Sequence, residues 1–560
     1  MKKIYLSLVW GLLALMMAGC YDEGGNNYDT QLPDVKIVIP ETAYSGEVGQ
    51  TIEIEPIVDS EISDDDLSFR WEVIGDRLSE SGSQQFSQLV EDEQQVRNLR
   101  FTCQLSENLA SLNKNYECRL LAVQKSTGRK FYSENHFTIT ITGVTGLMVL
   151  HGNNGQSDIG ILQAEEFMPA TSSITDAPNA QPSFYSENNG GKKLEGKGKT
   201  IVQSIYKYLS TEELRKRARI FVTTDKEVSW LNKDDLSYYG DWNAMFYLTG
   251  DEKVNASIPK GYVVMDGGAW LAFDGDEIYY MSPSGAYPYL FPEVKPTTKF
   301  GDRNTFTFEP TVINVDKRNI QCLMYANSVN GTEKKGFVGI STYITSGFYL
   351  YSALMDTKED NVPFNPGDMK ADLIKMCSDG NGECIAVMRG DASHPSFAGK
   401  LFLIDMMPNA QKLEGSATDY SGAPQFVYSL DRLTDINNAF AFEFGSTHNM
   451  CYYATPTGVY NYHVDNGMLY DAESLSMTDG TSIEFNGEVT MMKMLYSPGI
   501  TTHNTMPVLL VATYNGSQAT LYALHLDKMT GCAEKMVKYD AGNVSGWNFG
   551  RIYDVNIKGL

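Results

Sequence analysis

The chain is predicted to be all-β: an N-terminal immunoglobulin-like sandwich followed by a β-propeller-like domain. Three observations lead there. Between Val35 and Thr142 apolar and polar residues alternate with a period of two. From residue 143 onward, short apolar runs are separated by glycine turns and interleaved with aromatics. The chain has 560 residues, and the hairpin-rich part is too long for one sandwich core.

The first unit, residues 34–142, reads strand by strand. Ile52 and Ile54 alternate with Glu53 and Glu55, and Phe69, Trp71 and Val73 alternate with Ser68, Arg70 and Glu72. Further runs are Val35–Ile39, Leu99–Leu105, Tyr116–Val123 and Phe137–Thr142, with Ser126-Thr127-Gly128 as a hairpin turn. About seven short strands with a central tryptophan, here Trp71, fit a sandwich.

The second unit, residues 143–560, contains the runs Leu147–Leu150, Ile159–Leu162, Arg219–Thr223, Tyr262–Met265, Glu277–Met281, Phe337–Ile340, Leu401–Ile404, Cys451–Thr455, Val459–His463, Val508–Tyr514 and Thr520–Leu526. Asn515-Gly516 turns one hairpin. Ser210–Arg219 reads as a helix, with Ser210 and Glu213 spaced as a capping box. Four-stranded blades need roughly 50–60 residues each, so seven or eight fit, and seven with long loops are expected. Stacked sandwiches are the alternative architecture.

Before these units, Lys2 and Lys3 precede the apolar run Ile4–Ala18, which ends in Met17-Ala18-Gly19-Cys20. The run is too short to span a bilayer and stops at small residues before a cysteine. It resembles a bacterial lipoprotein signal, residues 1–19, with its lipobox. That resemblance implies diacylglycerol on the Cys20 sulfur, cleavage before Cys20, and an acyl chain such as palmitate on the new amine. Two or more chains make a stable anchor, since each buried CH₂ contributes about 0.8 kcal/mol. Residues 20–33 form a tether broken by Gly24, Gly25, Asn26, Asn27 and Pro33. Asp22 and Glu23 resemble the acidic export signal of Bacteroidetes lipoproteins, which places the protein on the outer membrane facing outward.

Net charge is −25, and about −27 once Lys2 and Lys3 are removed. Such a field repels phosphate backbones, so nucleic acid is excluded as a partner. Seven cysteines remain beyond Cys20, an odd number at wide spacings that match no zinc pattern. Cys377 with Cys384, flanking a glycine-containing hairpin, is the first disulfide candidate, and Cys103 with Cys118 in the sandwich is the second.

The lipobox, the Trp71 sandwich and the strand-rich remainder together resemble the PKD-like family of Bacteroidetes lipoproteins. The most recognisable pieces are Gly146-Leu147-Met148-Val149-Leu150-His151-Gly152-Asn153-Asn154-Gly155 and Leu510-Val511-Ala512-Thr513-Tyr514-Asn515-Gly516. Where a PKD domain carries Trp-Asp-Phe-Gly-Asp-Gly, this chain reads Trp71-Glu72-Val73-Ile74-Gly75-Asp76, so the likeness is PKD-like. The resemblance implies an accessory surface lipoprotein of a SusC/SusD-like importer of peptides or glycans. It supplies no catalytic residue.

Catalytic motifs are absent from the sequence. No two of the seven histidines are spaced as in a zinc protease, and there is no Gly-x-Ser-x-Gly. Gly191–Thr200 (GKKLEGKGKT) imitates a phosphate loop, but Gly198 stands where Ser or Thr must bind magnesium; it reads as a mobile basic loop. Asp64-Asp65-Asp66 lies before a strand of the sandwich, Asp274, Asp276 and Glu277 lie in a hairpin, and Ser378–Glu383, whose oxygens could suit calcium, reads as a plain hairpin turn. No metal or cofactor is expected. The candidate ligand surface is aromatic: Tyr238, Tyr239 and Trp242 around Gly240, and Tyr287 and Tyr289 after Gly285, since exposed rings stack on sugars or hold peptide side chains. The expected function is non-enzymatic binding. The alternatives are a glycan- or peptide-cleaving hydrolase or lyase with its site in the propeller funnel, and an adhesin.

Overall fold

The computed structural model describes residues 33–558 apart from internal segments, the longest being 76–84, 168–176, 204–218, 242–260, 282–305 and 496–507. It divides into two compact units, Met1–Gly143 and Val144–Leu560.

In the first unit the main sheet runs, in spatial order, Ala43–Glu47, Phe137–Thr142, Asn115–Gln124, Leu67–Ile74 and Phe86–Gln88, with Lys130–Tyr132 also paired to Asn115–Gln124. Ala43–Glu47 is parallel to Phe137–Thr142; the other pairings are antiparallel. Two short ladders complete the sandwich: Val35–Val38 with Ile57–Ser60, and Thr51–Ile54 with Leu99–Thr102. The alternation that predicted Phe137–Thr142 is the observed burial pattern, with Phe137, Ile139 and Ile141 inside. Trp71 is fully buried against the edge of Phe137, 5.8 Å between centroids, and its indole N–H donates to the Val96 carbonyl at 2.8 Å.

The Trp71 strand departs from alternation. Trp71, Glu72 and Val73 are all buried. Arg119 bonds Glu72 twice there, at 2.7 and 2.8 Å, while Phe86 and Tyr132 cover the guanidinium at 3.7 and 4.5 Å. A buried carboxylate needs such a partner, and the rings exclude water from the pair.

Among the described residues, the second unit is seven separate antiparallel sheets, the blades of a propeller. Blade 2 is Gly198–Gln203, Arg219–Thr224, Val228–Asn232 and Tyr238–Gly240. Blade 3, Gly261–Val264, Trp270–Asp274 and Glu277–Met281, has three strands among the described residues. Blade 4 is Phe306–Lys317, Ile320–Val329, Gly336–Ile344 and Phe348–Leu354. Blade 5 is Ala371–Ser378, Cys384–Gly390, Leu401–Lys412 and Thr418–Ser429. Blade 6 is Ala441–Phe444, Met450–Thr455, Gly458–Asp465 and Met468–Leu469; blade 7 is Glu488–Leu495, Val508–Tyr514, Ala519–Leu526 and Ala533–Tyr539.

Blade 1 is composite. Gly146–Asn153, Gln156–Gln163 and Asn179–Gln181 come from the start of the unit, and the leading strand, Arg551–Lys558, comes from the end of the chain. Each leading strand packs against that of the next blade, from Arg551–Lys558 through blades 2 to 7 and back, so the ring closes. Apolar clusters fill the space between blades: Tyr325 and Phe337 with Met376 and Met388, Val387 and Leu403 with Phe442 and Tyr453, and Leu510 and Leu521 with Leu147 and Val149.

Gly191–Thr200 is not a mobile loop. Leu194–Glu195 pairs with Gln156–Ser157 on blade 1, and Gly198 opens the leading strand of blade 2. Gly196, at φ +90°, turns the chain between them, and its amide donates to the Gly155 carbonyl. The expected helix lies largely outside the described residues, and its last residue, Arg219, begins a strand.

Candidate functional site

The leading strands surround the ring axis, and they carry a network of paired charges. Lys375 of blade 5 meets Glu443 of blade 6 at 3.0 Å. Burial alone would lower the Lys375 ammonium, but the charge and hydrogen bond of Glu443 hold it above its ordinary value. Lys493 of blade 7 meets Asp554 of the closing strand at 2.7 Å and also donates to the Val555 carbonyl at 2.7 Å. The second Asp554 oxygen accepts the Ile201 amide of blade 2 at 2.9 Å, and Asn556 donates to the Ile201 carbonyl at 3.1 Å. One carboxylate therefore ties the closing strand to both neighbouring blades. Both carboxylates are held by protein donors. Among the described residues, no group of three or more His, Cys, Asp or Glu side chains is placed to hold a metal.

A second polar constellation imitates a nucleophilic triad. His151 and Asp158 are cross-strand partners in blade 1, and Ser186 lies on the short helix Phe184–Asn188. All three are buried. The Ser186 hydroxyl donates to Asp158 at 2.6 Å, and Asp158 also accepts the Ser186 and Ile159 amides at 3.1 and 2.9 Å. His151 accepts the Gly550 amide on Nδ1 at 3.1 Å, so the proton sits on Nε2 and goes to the Pro182 carbonyl at 2.8 Å. Burial pushes its pKa down, which keeps the ring neutral. Acyl transfer needs the hydroxyl bonded to the imidazole. Here both imidazole nitrogens are bonded to backbone, so the cluster fastens blade 1 to the loops at 182 and 550.

The predicted aromatic surface is only partly described. Trp242, Tyr287 and Tyr289 lie outside the described residues, as does Cys20. Tyr238 and Tyr239 form the outer edge of blade 2, and both are exposed, at 46% and 43%. They do not form one platform. Tyr238 pairs with Leu231 at a register shift, accepts an approach from Lys192 at 5.7 Å, and its amide bonds Asn189. Tyr239 instead meets Trp230 edge-on at 5.6 Å and lies beneath the Arg219 guanidinium at 4.3 Å. Register puts Arg219 and Trp230 on one face and Leu231 on the other, so the two rings serve opposite faces of the blade.

The acid runs have structural work. Asp66 accepts bonds from Ser126 and Gln124, which hold its carboxyl below the usual range and fix the Ser126-Thr127-Gly128 turn. Asp274 pairs with Glu277 across a hairpin turn, as expected, while Asp276 and residues 379–382 lie outside the described residues.

Neither candidate disulfide is present. Cys377 pairs with Ile385, and Cys384 with Ser378, so adjacent positions send the two sulfurs to opposite faces. Cys384 packs with Met376 and Met388 toward blade 4, and Cys377 packs toward blade 6. In the sandwich, Cys103 and Cys118 are buried thiols. Cys103 sits over Gly46, where a Cβ would approach its sulfur to 2.8 Å, and burial pushes its pKa up to about 11.

The axial network and the His151 cluster were missed by sequence reasoning, because their members are distant in the chain. The readable signal was a charge inside an apolar strand: Asp554 lies between Tyr553 and Val555.

No curated protein matches this chain. Among solved structures, the chain is similar to dihydro-heme d1 dehydrogenase NirN in complex with DHE, at 9% identity over 74% of this chain and 75% of that one, with a TM-score of 0.35. It is similar to PorZ, a bacterial surface component of the type-IX secretion system of Porphyromonas gingivalis, at 11% identity over 89% and 62%, with a TM-score of 0.32. It is also similar to the WD40 domain of SCAP from fission yeast, at 10% identity over 64% and 74%, with a TM-score of 0.25. The PKD-like family model matches residues 20–197, which spans the sandwich and the N-terminal strands of blade 1 and stops before the leading strand of blade 2. The chain thus carries a PKD-like family domain over residues 20–197.

Proposed function

We propose that this chain is a surface-exposed outer-membrane lipoprotein, anchored through Cys20, and a non-enzymatic accessory of a SusC/SusD-like importer of peptides or glycans. The observation that carries the reading is Met17-Ala18-Gly19-Cys20 followed by a short tether and two β units. The sandwich acts as a spacer, and the propeller offers a recognition face. Two features support binding over hydrolysis. The axial carboxylates Glu443 and Asp554 are engaged by lysines of neighbouring strands. Tyr239, with Arg219 above it, presents an exposed aromatic and cationic edge on blade 2. Such an edge suits a sugar ring or a peptide side chain with a polar tip.

The test has two arms. Cys20→Ala should release the protein from membranes and remove acyl labelling, and added protease should digest the native protein on intact cells. Chemical cross-linking on cells should capture an outer-membrane importer, and Tyr239→Ala should weaken that capture about tenfold, equivalent to about 1.4 kcal/mol, without changing the melting temperature. Membrane retention of Cys20→Ala defeats the anchor. Cross-links that contain no importer defeat the accessory role.

A further inference from the structure

The register that separates Cys377 from Cys384 directs Cys377 toward a different cysteine. Cys377 lies on the leading strand of blade 5, opposite Ile385, on the face that packs against blade 6. On blade 6, Cys451 lies between Phe444 and Tyr462 in a cross-strand row, on the face that packs against blade 5. Both sulfurs enter the same apolar cluster.

Stacked sheets stand about 10 Å apart, too wide for a disulfide, which needs Cα atoms about 4.4–6.8 Å apart. Blades converge toward the ring axis: Cys377 is on the leading strand of blade 5, and Cys451 is on the strand next to the leading strand of blade 6. Lys375, two residues before Cys377, already reaches Glu443 at 3.0 Å, and Glu443 adjoins Phe444, the partner of Cys451. We propose that Cys377 and Cys451 are an inter-blade dithiol that closes to a disulfide and locks blade 5 to blade 6.

The oxidant is an external disulfide, small or on a protein. Half-buried Cys377 is the entry thiol, and Cys451 is fully buried. The Cys377 thiolate attacks one sulfur of the external disulfide and expels the other half as a thiolate. Cys451 then loses its proton and attacks the Cys377 sulfur, which releases the second half. Two protein thiols are oxidised to one disulfide, the external disulfide is reduced to two thiols, and the two protons pass to the departing thiolates. Burial pushes the Cys451 thiol up, so the second step is the slower one.

The experiment uses the purified full chain and oxidised glutathione, followed by alkylation and mass spectrometry of an unreduced digest. The expected product links the Cys377 peptide to the Cys451 peptide and raises the melting temperature. Cys384→Ser should leave both results unchanged, and Cys451→Ser should stop at glutathionylated Cys377. If Cys451→Ser does not fold, Cys377→Ser serves instead: it should leave Cys451 unmodified, because the entry thiol is gone. A wild-type chain in which Cys377 carries only glutathione, bonds Cys384, or stays alkylatable overturns the proposal.

Discussion

The two units close in different ways. In the sandwich, strands from one stretch of chain wrap a single aromatic centre, and the longest side-chain hydrogen bonds span 96 residues, as between Asn135 and Ile39. In the propeller, each blade is local, but the ring exists only because Arg551–Lys558 pairs with Gly146–Asn153. Its clamp joins Asp554 to Ile201 across 353 residues. Local closure makes a unit sensitive at its core. Distant closure makes it sensitive at one seam, where little else compensates for a lost contact.

Trp71→Ala should have the largest effect. It empties the sandwich centre and orphans the Val96 carbonyl, at a cost of about 4 kcal/mol. Hydrogen exchange should accelerate in residues 33–143 and stay unchanged in the propeller. Accelerated exchange in both units would mean that they fold as one.

Asp554→Ala should come next, at about 3 kcal/mol, because it takes the carboxylate from the Lys493 ammonium, which keeps only the Val555 carbonyl, and leaves the Ile201 amide without its acceptor. Exchange should rise first in Arg551–Lys558 and Gly198–Gln203. A uniform rise over all seven blades would show that the seam is no weaker than the other interfaces.

Gly160→Ala adds one methyl beside that seam. The new carbon would lie 2.4 Å from the Phe549 ring and 2.7 Å from the Pro182 backbone, and backbone cannot rotate away. A loss of about 2 kcal/mol is expected in thermal unfolding. Gly155→Ala, which has open space but φ +78°, should cost about 1 kcal/mol.

The smallest effect is a pH dependence at the outer seam. Burial would raise the Glu166 carboxyl, but Tyr539 and Lys535 bond it and hold it below its ordinary value. A carboxylate lowered on folding stabilises above its unfolded pKa, and that contribution disappears as pH falls through the folded value. Glu166→Gln should therefore cost on the order of 1 kcal/mol at neutral pH and flatten the acid limb of the melting curve below the ordinary glutamate range. An unchanged acid limb would place the sensitivity elsewhere.

Period-two alternation was enough to locate Phe137–Thr142 and the Trp71 strand, because a half-buried strand writes its two faces directly into the chain. Length and hairpin spacing allowed seven or eight blades, and the sheets themselves decided for seven. The buried Glu72 was unreadable, since its burial depends on Arg119 and on two rings from other strands. The same limit explains the cysteines and the aromatic edge. A slip of one residue in register reverses a face, and neither the Cys377–Cys384 spacing nor the adjacency of Tyr238 and Tyr239 encodes register.

By itself the sequence determined the strands, their approximate number, the division into two units and the lipobox that motivates the anchor. These follow from local pattern and composition, which each segment carries independently. Only the tertiary structure decided which strand closes the ring, which face each cysteine and tyrosine takes, and that His151, Asp158 and Ser186 meet as a fastening rather than a triad. Those outcomes depend on register and on contacts between residues hundreds of positions apart, where chain closure and packing, not local preference, select the partner.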